Sequence, residues 1–109
     1  MPSVNIVFGS LDNYNRQRPS PVIRIRTTER IVPSGTNQVS TTAAAGQAVA
    51  GGYGEYVSIT TDTAVNIAIG ASPVATAVAD ATSVTILANQ TRDFAIGPGQ
   101  RVAVINATL

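Results

Sequence analysis

The 109-residue sequence contains no cysteine, histidine, lysine or tryptophan. The missing cysteines exclude disulfides and thiolate chemistry. With histidine also absent, a zinc site built from the usual ligands is excluded. A serine nucleophile would lack both of the bases that commonly activate it, histidine and lysine. Rings are scarce as well: Phe8, Phe94, Tyr14, Tyr53 and Tyr56 are the only ones. The core must then be built from Val, Ile and Ala. Large rings usually carry much of the buried area of a domain, and a thin core makes self-association a natural supplement. No apolar run approaches the ~20 residues of a membrane-spanning helix. The opening "MPSVNIVFGS" has no basic stretch leading into a long apolar one, so no secretion signal is expected. These absences predict a soluble protein made in the cytoplasm, with no membrane contact.

What is abundant is side-chain branching at Cβ. Val, Ile and Thr together supply 36 residues, and Leu only three. Such side chains lose rotamer freedom on a helix and pack well on a pleated surface, which predicts an all-β chain. The second half has a clear two-residue rhythm. "EYVSIT" (55–60) alternates; "AVNIAIG" (64–70) sends Val65, Ile67 and Ile69 to one side; "SVTIL" (83–87) does the same with Val84 and Ile86. Phe94 and Ile96, then Val102 and Val104, continue the pattern. Turn-forming clusters separate these runs at Thr61-Asp62-Thr63, Gly70-Ala71-Ser72-Pro73, Ala88-Asn89-Gln90 and Gly97-Pro98-Gly99. Short strands at this spacing argue for a small antiparallel β-sandwich or a jelly-roll-like barrel. Further back, Pro33-Ser34-Gly35 marks a turn before a short polar strand. The Gly- and Ala-rich stretch 43–54 reads as a short helical turn or a surface loop.

Gly97-Pro98-Gly99 raises the question of a phosphate-binding loop. That loop needs spread glycines followed by Lys and Ser or Thr opening a helix. Here no lysine exists, and "QRVAVI" alternates as a strand. Pro98 suits the second position of a type II turn and Gly99 the third, where φ is positive. The expected connection is a four-residue loop, 97–100, that pairs "DFAI" with "RVAVI". The six acids are scattered singly, mostly near turns, without the paired geometry of acid–base catalysis or the clustering of a calcium loop. The sequence therefore predicts no catalytic residue, no metal and no cofactor.

Charge is unevenly placed. Residues 1–30 hold Arg16, Arg18, Arg24, Arg26 and Arg30 against Asp12 and Glu29, a surplus of +3; residues 31–109 hold Arg92 and Arg101 against four acids, a deficit of −2. Pro19 and Pro21 force extended geometry on their neighbours. After them, Ile23 and Ile25 alternate with Arg24 and Arg26, one face apolar and one cationic. Residues 1–30 thus read as an extended N-terminal arm or edge strand, and residues 31–109 as the β domain. Two readings of the arm remain open. It is a solvated edge whose charges discourage sheet-to-sheet pairing, or it docks on an acidic partner through the bidentate fork of arginine. About fifteen extended residues reach roughly 50 Å. Nucleic acid is not expected as a partner, since the arginines are few and no aromatic platform or groove-reading helix is visible.

"YVSITTDTAVNIAIGASPVATA" followed by "ILANQTRDFAIGPGQRVAVI" resembles small virion proteins of tailed bacteriophages, of the head-decoration or capsid-cement type. The shared features are an apolar strand ending in "IAIGASPVAT", a short polar strand, and a strand, turn and "RVAVI". The resemblance covers roughly residues 56–105, and the N-terminal region departs from it. It implies a β-sandwich or jelly-roll module, a homodimer or homotrimer, on the outer surface of the virion head. There it would bridge subunits of the major capsid protein after synthesis in the host cytoplasm. Arg16, Arg18, Arg24 and Arg26 would make the capsid contacts. A second reading is a tail- or fibre-associated module that binds a host glycan or protein through Tyr53 and Tyr56.

Overall fold

The structure, a computed structural model, describes residues 2–12, 22–45, 55–78 and 83–108. Among them lie eight strands: β1 (Val4–Asp12), β2 (Val22–Ile31), β3 (Gln38–Val39), β4 (Glu55–Thr61), β5 (Val65–Gly70), β6 (Val84–Ile86), β7 (Gln90–Ile96) and β8 (Arg101–Asn106). They form two antiparallel four-stranded sheets, ordered β2-β1-β4-β7 (sheet A) and β3-β8-β5-β6 (sheet B). The sheets pack face to face as a sandwich. No strand pairing among the described residues joins one sheet to the other, so the barrel alternative gives way to two open sheets. If β1 is read as following β8, the order is that of an eight-stranded jelly roll.

The core lies between the sheets. Val4, Ile6 and Phe8 of β1 face Val65 and Ile67 of β5 and Val102 and Val104 of β8 within one buried cluster. Phe8 is the largest fully buried side chain. This corrects the division at residue 30. Residues 4–12 are an inner strand, hydrogen-bonded to β2 on one side and β4 on the other, because "VNIVF" alternates apolar side chains into the core. Residues 22–31 are the edge of sheet A.

The Arg/Ile alternation in β2 is redirected by a bulge. Phe8 pairs with Thr27 but Gly9 pairs with Ile25, leaving Arg26 as the extra residue. One inserted residue reverses the faces of those beyond it. Ile25, expected on the apolar face, is 63% exposed, and Arg26 turns toward Phe8, its guanidinium 5.9 Å from the ring centroid.

The loop 97–100 has the expected conformation. Gly99 has φ +77°, and the Gln100 N–H donates to the Gly97 carbonyl at 3.1 Å, the pattern of a type II turn. The Gln100 Oε1 accepts from the Gly97 N–H at 2.7 Å. Its partners differ from expectation: β7 pairs with β4 and β8 with β5 and β3. The turn carries the chain from sheet A to sheet B and makes no hairpin. The physical reason is twist, since a type II turn splays two adjoining strands where the primed turns match them. The β6 to β7 connection also changes sheets, through Asn89 at φ +63°, a conformation asparagine tolerates.

The central strands of sheet B, β5 and β8, are buried on both faces over most of their length. Segment 73–78 lies over its outer side, and Ala68, Ala75, Ala103 and Ile105 form a second small core beneath it. Asn66, in the middle of an otherwise apolar strand, is 1% exposed. Its Nδ2 donates to the carbonyls of Thr76 and Ala77 at 2.8 and 2.9 Å, and its Oδ1 accepts from the Thr85 hydroxyl at 2.6 Å.

Candidate functional site

The candidate contact residues do not stand together. Arg16, Arg18 and Tyr53 lie outside the described residues. Arg24 sits in β2 paired with Ser10, and its side chain also lies outside them. Tyr56 is half-buried on β4, opposite Gly9 of β1 and Ala95 of β7, on the outward face of sheet A.

Arg26, with its side chain 42% exposed, also makes bonds within the chain. Its Nε and Nη2 donate to Glu55 at 2.7 and 3.0 Å, and Nη2 donates also to the Ala43 carbonyl at 2.9 Å. The Glu55 side chain is only 10% exposed and accepts further from the Ala45 N–H at 2.7 Å. The bulge is the cause: without it Arg26 would continue the outward alternation.

This bridge is one part of a strap. Residues 40–45 leave β3 at the edge of sheet B and pass β2 at the edge of sheet A. Glu29 accepts from the N–H groups of Thr41 and Thr42 at 3.0 and 2.8 Å. Arg101 Nη1 donates to the carbonyls of Ser40 and Thr41. Ser40 N–H donates to Val102 O, and Ala44 exchanges bonds with Gln100 O and Gly99 N–H. A nonrepetitive segment drawn along the sandwich edge has no continuous ladder of its own, so side chains supply the partners that the few backbone bonds do not. Glu29, Glu55 and Arg101 were not legible as a group in the sequence, because their targets are backbone atoms that only folding brings near.

The carboxyls have shifted proton affinities. Burial by itself would push Glu55 up; the hydrogen bonds from Arg26 and Ala45, with the Arg26 charge, outweigh it and hold the group below its ordinary value. Burial likewise opposes, and hydrogen bonds from Thr42 and Thr41 outweigh, at Glu29, which is also lowered. The bridge to Glu55 holds the Arg26 guanidinium above its ordinary value. A depressed folded-state value means the stabilisation is present above the unfolded value of about 4.5 and is lost as pH falls through the folded value. Thermal unfolding followed from neutral pH to about pH 3 is expected to show a falling midpoint below about pH 4.5, and Glu55→Gln is expected to flatten that fall. An unchanged slope in the variant would remove Glu55 from the strap's support.

The outward face of sheet A is uncovered by other described strands; one end carries Ile25, Gly9, Tyr56 and Ala95, and the rest is largely polar. Its rows run Thr28, Val7, Ser58, Asp93 and Arg30, Asn5, Thr60, Thr91. Thr60 and Thr91 share a hydroxyl hydrogen bond of 2.8 Å. At the far end from Tyr56 a shallow recess of about 310 Å³ is lined by Ser3, Asn5, Thr60, Thr61, Asp62 and Asn89. Asp62 Oδ1 there accepts from the Ser3 N–H at 2.8 Å. On the other side, sheet B presents Val39 and the overlying segment 73–78, whose Val74 and Val78 are exposed. The two faces of the sandwich are therefore chemically unlike. Comparison with protein-family models, with curated proteins and with solved structures finds no match.

Proposed function

We propose that this chain is a structural binding module, a capsid decoration protein that attaches to the outside of an assembled phage head and bridges its subunits. The observation that carries this reading is the two-faced sandwich. A small module with one face rich in hydroxyls, amides and charge and one whose described residues are mostly apolar suits a position between two unlike surfaces. The sequence resemblance over residues 56–105 falls on β4 through β8, which supply two of the four strands of sheet A and three of the four of sheet B. Sheet A supplies Arg30, Asp93 and a row of hydroxyls and amides for a hydrated contact with the shell, which is the major capsid protein in this reading. Many such weak contacts, repeated through linked copies, give avidity that no single contact has. Binding the assembled form alone then stabilises the shell by mass action.

The test uses heads of the phage that encodes the chain, with and without the protein added. Saturable binding to heads and a higher temperature of genome release in decorated heads are the expected results. Equal heat lability, or no binding to heads, would sink the proposal. Arg16, Arg18 and Arg24 remain the proposed arm contacts, and changing all three to Ala is expected to weaken binding. Arg26→Ala is the contrasting variant: its effect falls on stability, through Glu55.

A further inference from the structure

The strap 40–45 is tied to the two sheets by different kinds of bond. Toward sheet B the ties run mainly backbone to backbone. The Ser40 N–H donates to the Val102 carbonyl at 2.7 Å, the Ala44 N–H to the Gln100 carbonyl at 2.8 Å, and the Gly99 N–H to the Ala44 carbonyl at 3.2 Å. The Val102 N–H also donates to Ser40 Oγ at 3.1 Å, and Arg101 of β8 holds the carbonyls of Ser40 and Thr41. Toward sheet A, among the described residues, every tie is made by a charged side chain. Glu29 takes the N–H groups of Thr41 and Thr42, Glu55 takes that of Ala45, and Arg26 holds the Ala43 carbonyl. Glu29 is paired with Ile6 and Glu55 with Ile96, both buried in the core. Directly opposed residues share a face, so the two carboxyls stand on the core side of sheet A, where the strap passes. Ala44 of the strap is itself 5% exposed and part of the main core.

We propose that the strap is an acid-released clasp: protonation of Glu29 and Glu55 frees Thr41, Thr42 and Ala45 from sheet A, while β8 keeps hold of Ser40 and Ala44. Hydrogen bonds to an ionised carboxylate are about twice as strong as neutral ones, and protonation removes that advantage. At Glu55 it also removes the attraction for Arg26. Backbone amides and the Arg101 guanidinium keep their state in the acid range, so the ties to sheet B persist. The charged groups about the clasp are Arg26, beside Glu55, and Arg101, which shares Thr41 with Glu29; β1 and β7 set Ile6 and Ile96 against the two carboxyls. Both carboxyls bind their protons less readily than usual in the folded chain. The clasp is therefore shut at neutral pH and opens only as pH falls below the ordinary value of 4.5. Opening admits water beside Ala44 and leaves the packing of the two sheets in place. The inference does not depend on the decoration role and is tested without any capsid.

Amide hydrogen exchange of the full chain, read residue by residue by NMR and corrected for the intrinsic rate at each pH, tests this. Between neutral pH and about pH 3, protection at Thr41, Thr42 and Ala45 is expected to fall by roughly tenfold or more, the worth of one hydrogen bond to a charged group. Ser40, Ala44 and the amides of β1 should keep theirs. The double variant Glu29→Gln with Glu55→Gln stands in for the protonated pair and is expected to show the same loss at neutral pH. The single variants divide it: Glu29→Gln frees Thr41 and Thr42, and Glu55→Gln frees Ala45. If the double variant does not fold, the wild type in acid and the single variants decide on the same amides. Unchanged protection at the three amides in acid overturns the inference. So does a loss shared equally by Ser40, Ala44 and β1, since the strap would then open only with the whole sandwich.

Discussion

Phe8→Ala is expected to lower the free energy of unfolding by about 3–5 kcal/mol, the range for truncating a buried ring. Phe8 is fully buried and is the largest such side chain in the core. It stands on the inner strand of sheet A, flanked by Thr27 of β2 and Val57 of β4. The remaining core is Val, Ile and Ala, and Phe94 is only partly buried against it, so no second ring fills the space. Rigid strands on both sides limit collapse of the cavity. The ring also lies beneath the Arg26 guanidinium, and its loss removes the floor on which the bulge sets the Arg26 bridge. A domain of this size has a total stability of roughly 5–15 kcal/mol, so the variant stands near its folding threshold. Urea titration checks this: the midpoint should fall with the slope unchanged. A loss under about 1 kcal/mol would show that the sheets close over the vacated volume.

Asn66→Leu is the second large effect, expected at about 2–4 kcal/mol. The two side chains are similar in size, so the change isolates hydrogen bonding from packing. Leucine removes three hydrogen bonds; the Ala77 carbonyl keeps the Thr108 N–H, and each buried group that does go unsatisfied costs about 1–3 kcal/mol. The damage should be local as well. Amide hydrogens of Ala75, Thr76 and Thr108, which tie segment 73–78 to its surroundings, should exchange faster than those of β1 and β4. A uniform change in exchange across the sandwich would mean that the segment and the sheets unfold as one unit.

The two variants act on opposite faces of the chain's patterning. Alternation in "VNIVF" is enough to place Phe8 inward, and a reader of the sequence can expect a core position there. Nothing in "AVNIAIG" announces that Asn66 is buried. In an antiparallel strand with one solvated face, the residue between Val65 and Ile67 should point to water. It does not, because segment 73–78 returns over sheet B and turns the outer face into a second interior. The alanines at 68, 75 and 103 fit that reading only after the fold is known: small side chains let a chain segment lie close to the sheet. The candidate site was legible to a similar degree. Tyr56 falls on an outward row, whereas Arg26 is turned onto Glu55 and Phe8 by a bulge that no local signal marks.

By itself the sequence determined the class of structure, because branching at Cβ and a two-residue period are local properties of the chain. It likewise determined the turn at Pro98 and Gly99, since the proline's fixed φ and the glycine's positive φ are preferences of single residues. Only the tertiary structure decided which strands share a sheet. The turn therefore joins the two sheets, where a hairpin between β7 and β8 was expected. Only the tertiary structure brought Glu55 to Arg26, 29 residues away, and made the arginine a buckle for residues 40–45. Partners at that separation meet through the packing of whole strands, and a shift of one residue in register is enough to exchange one partner for another.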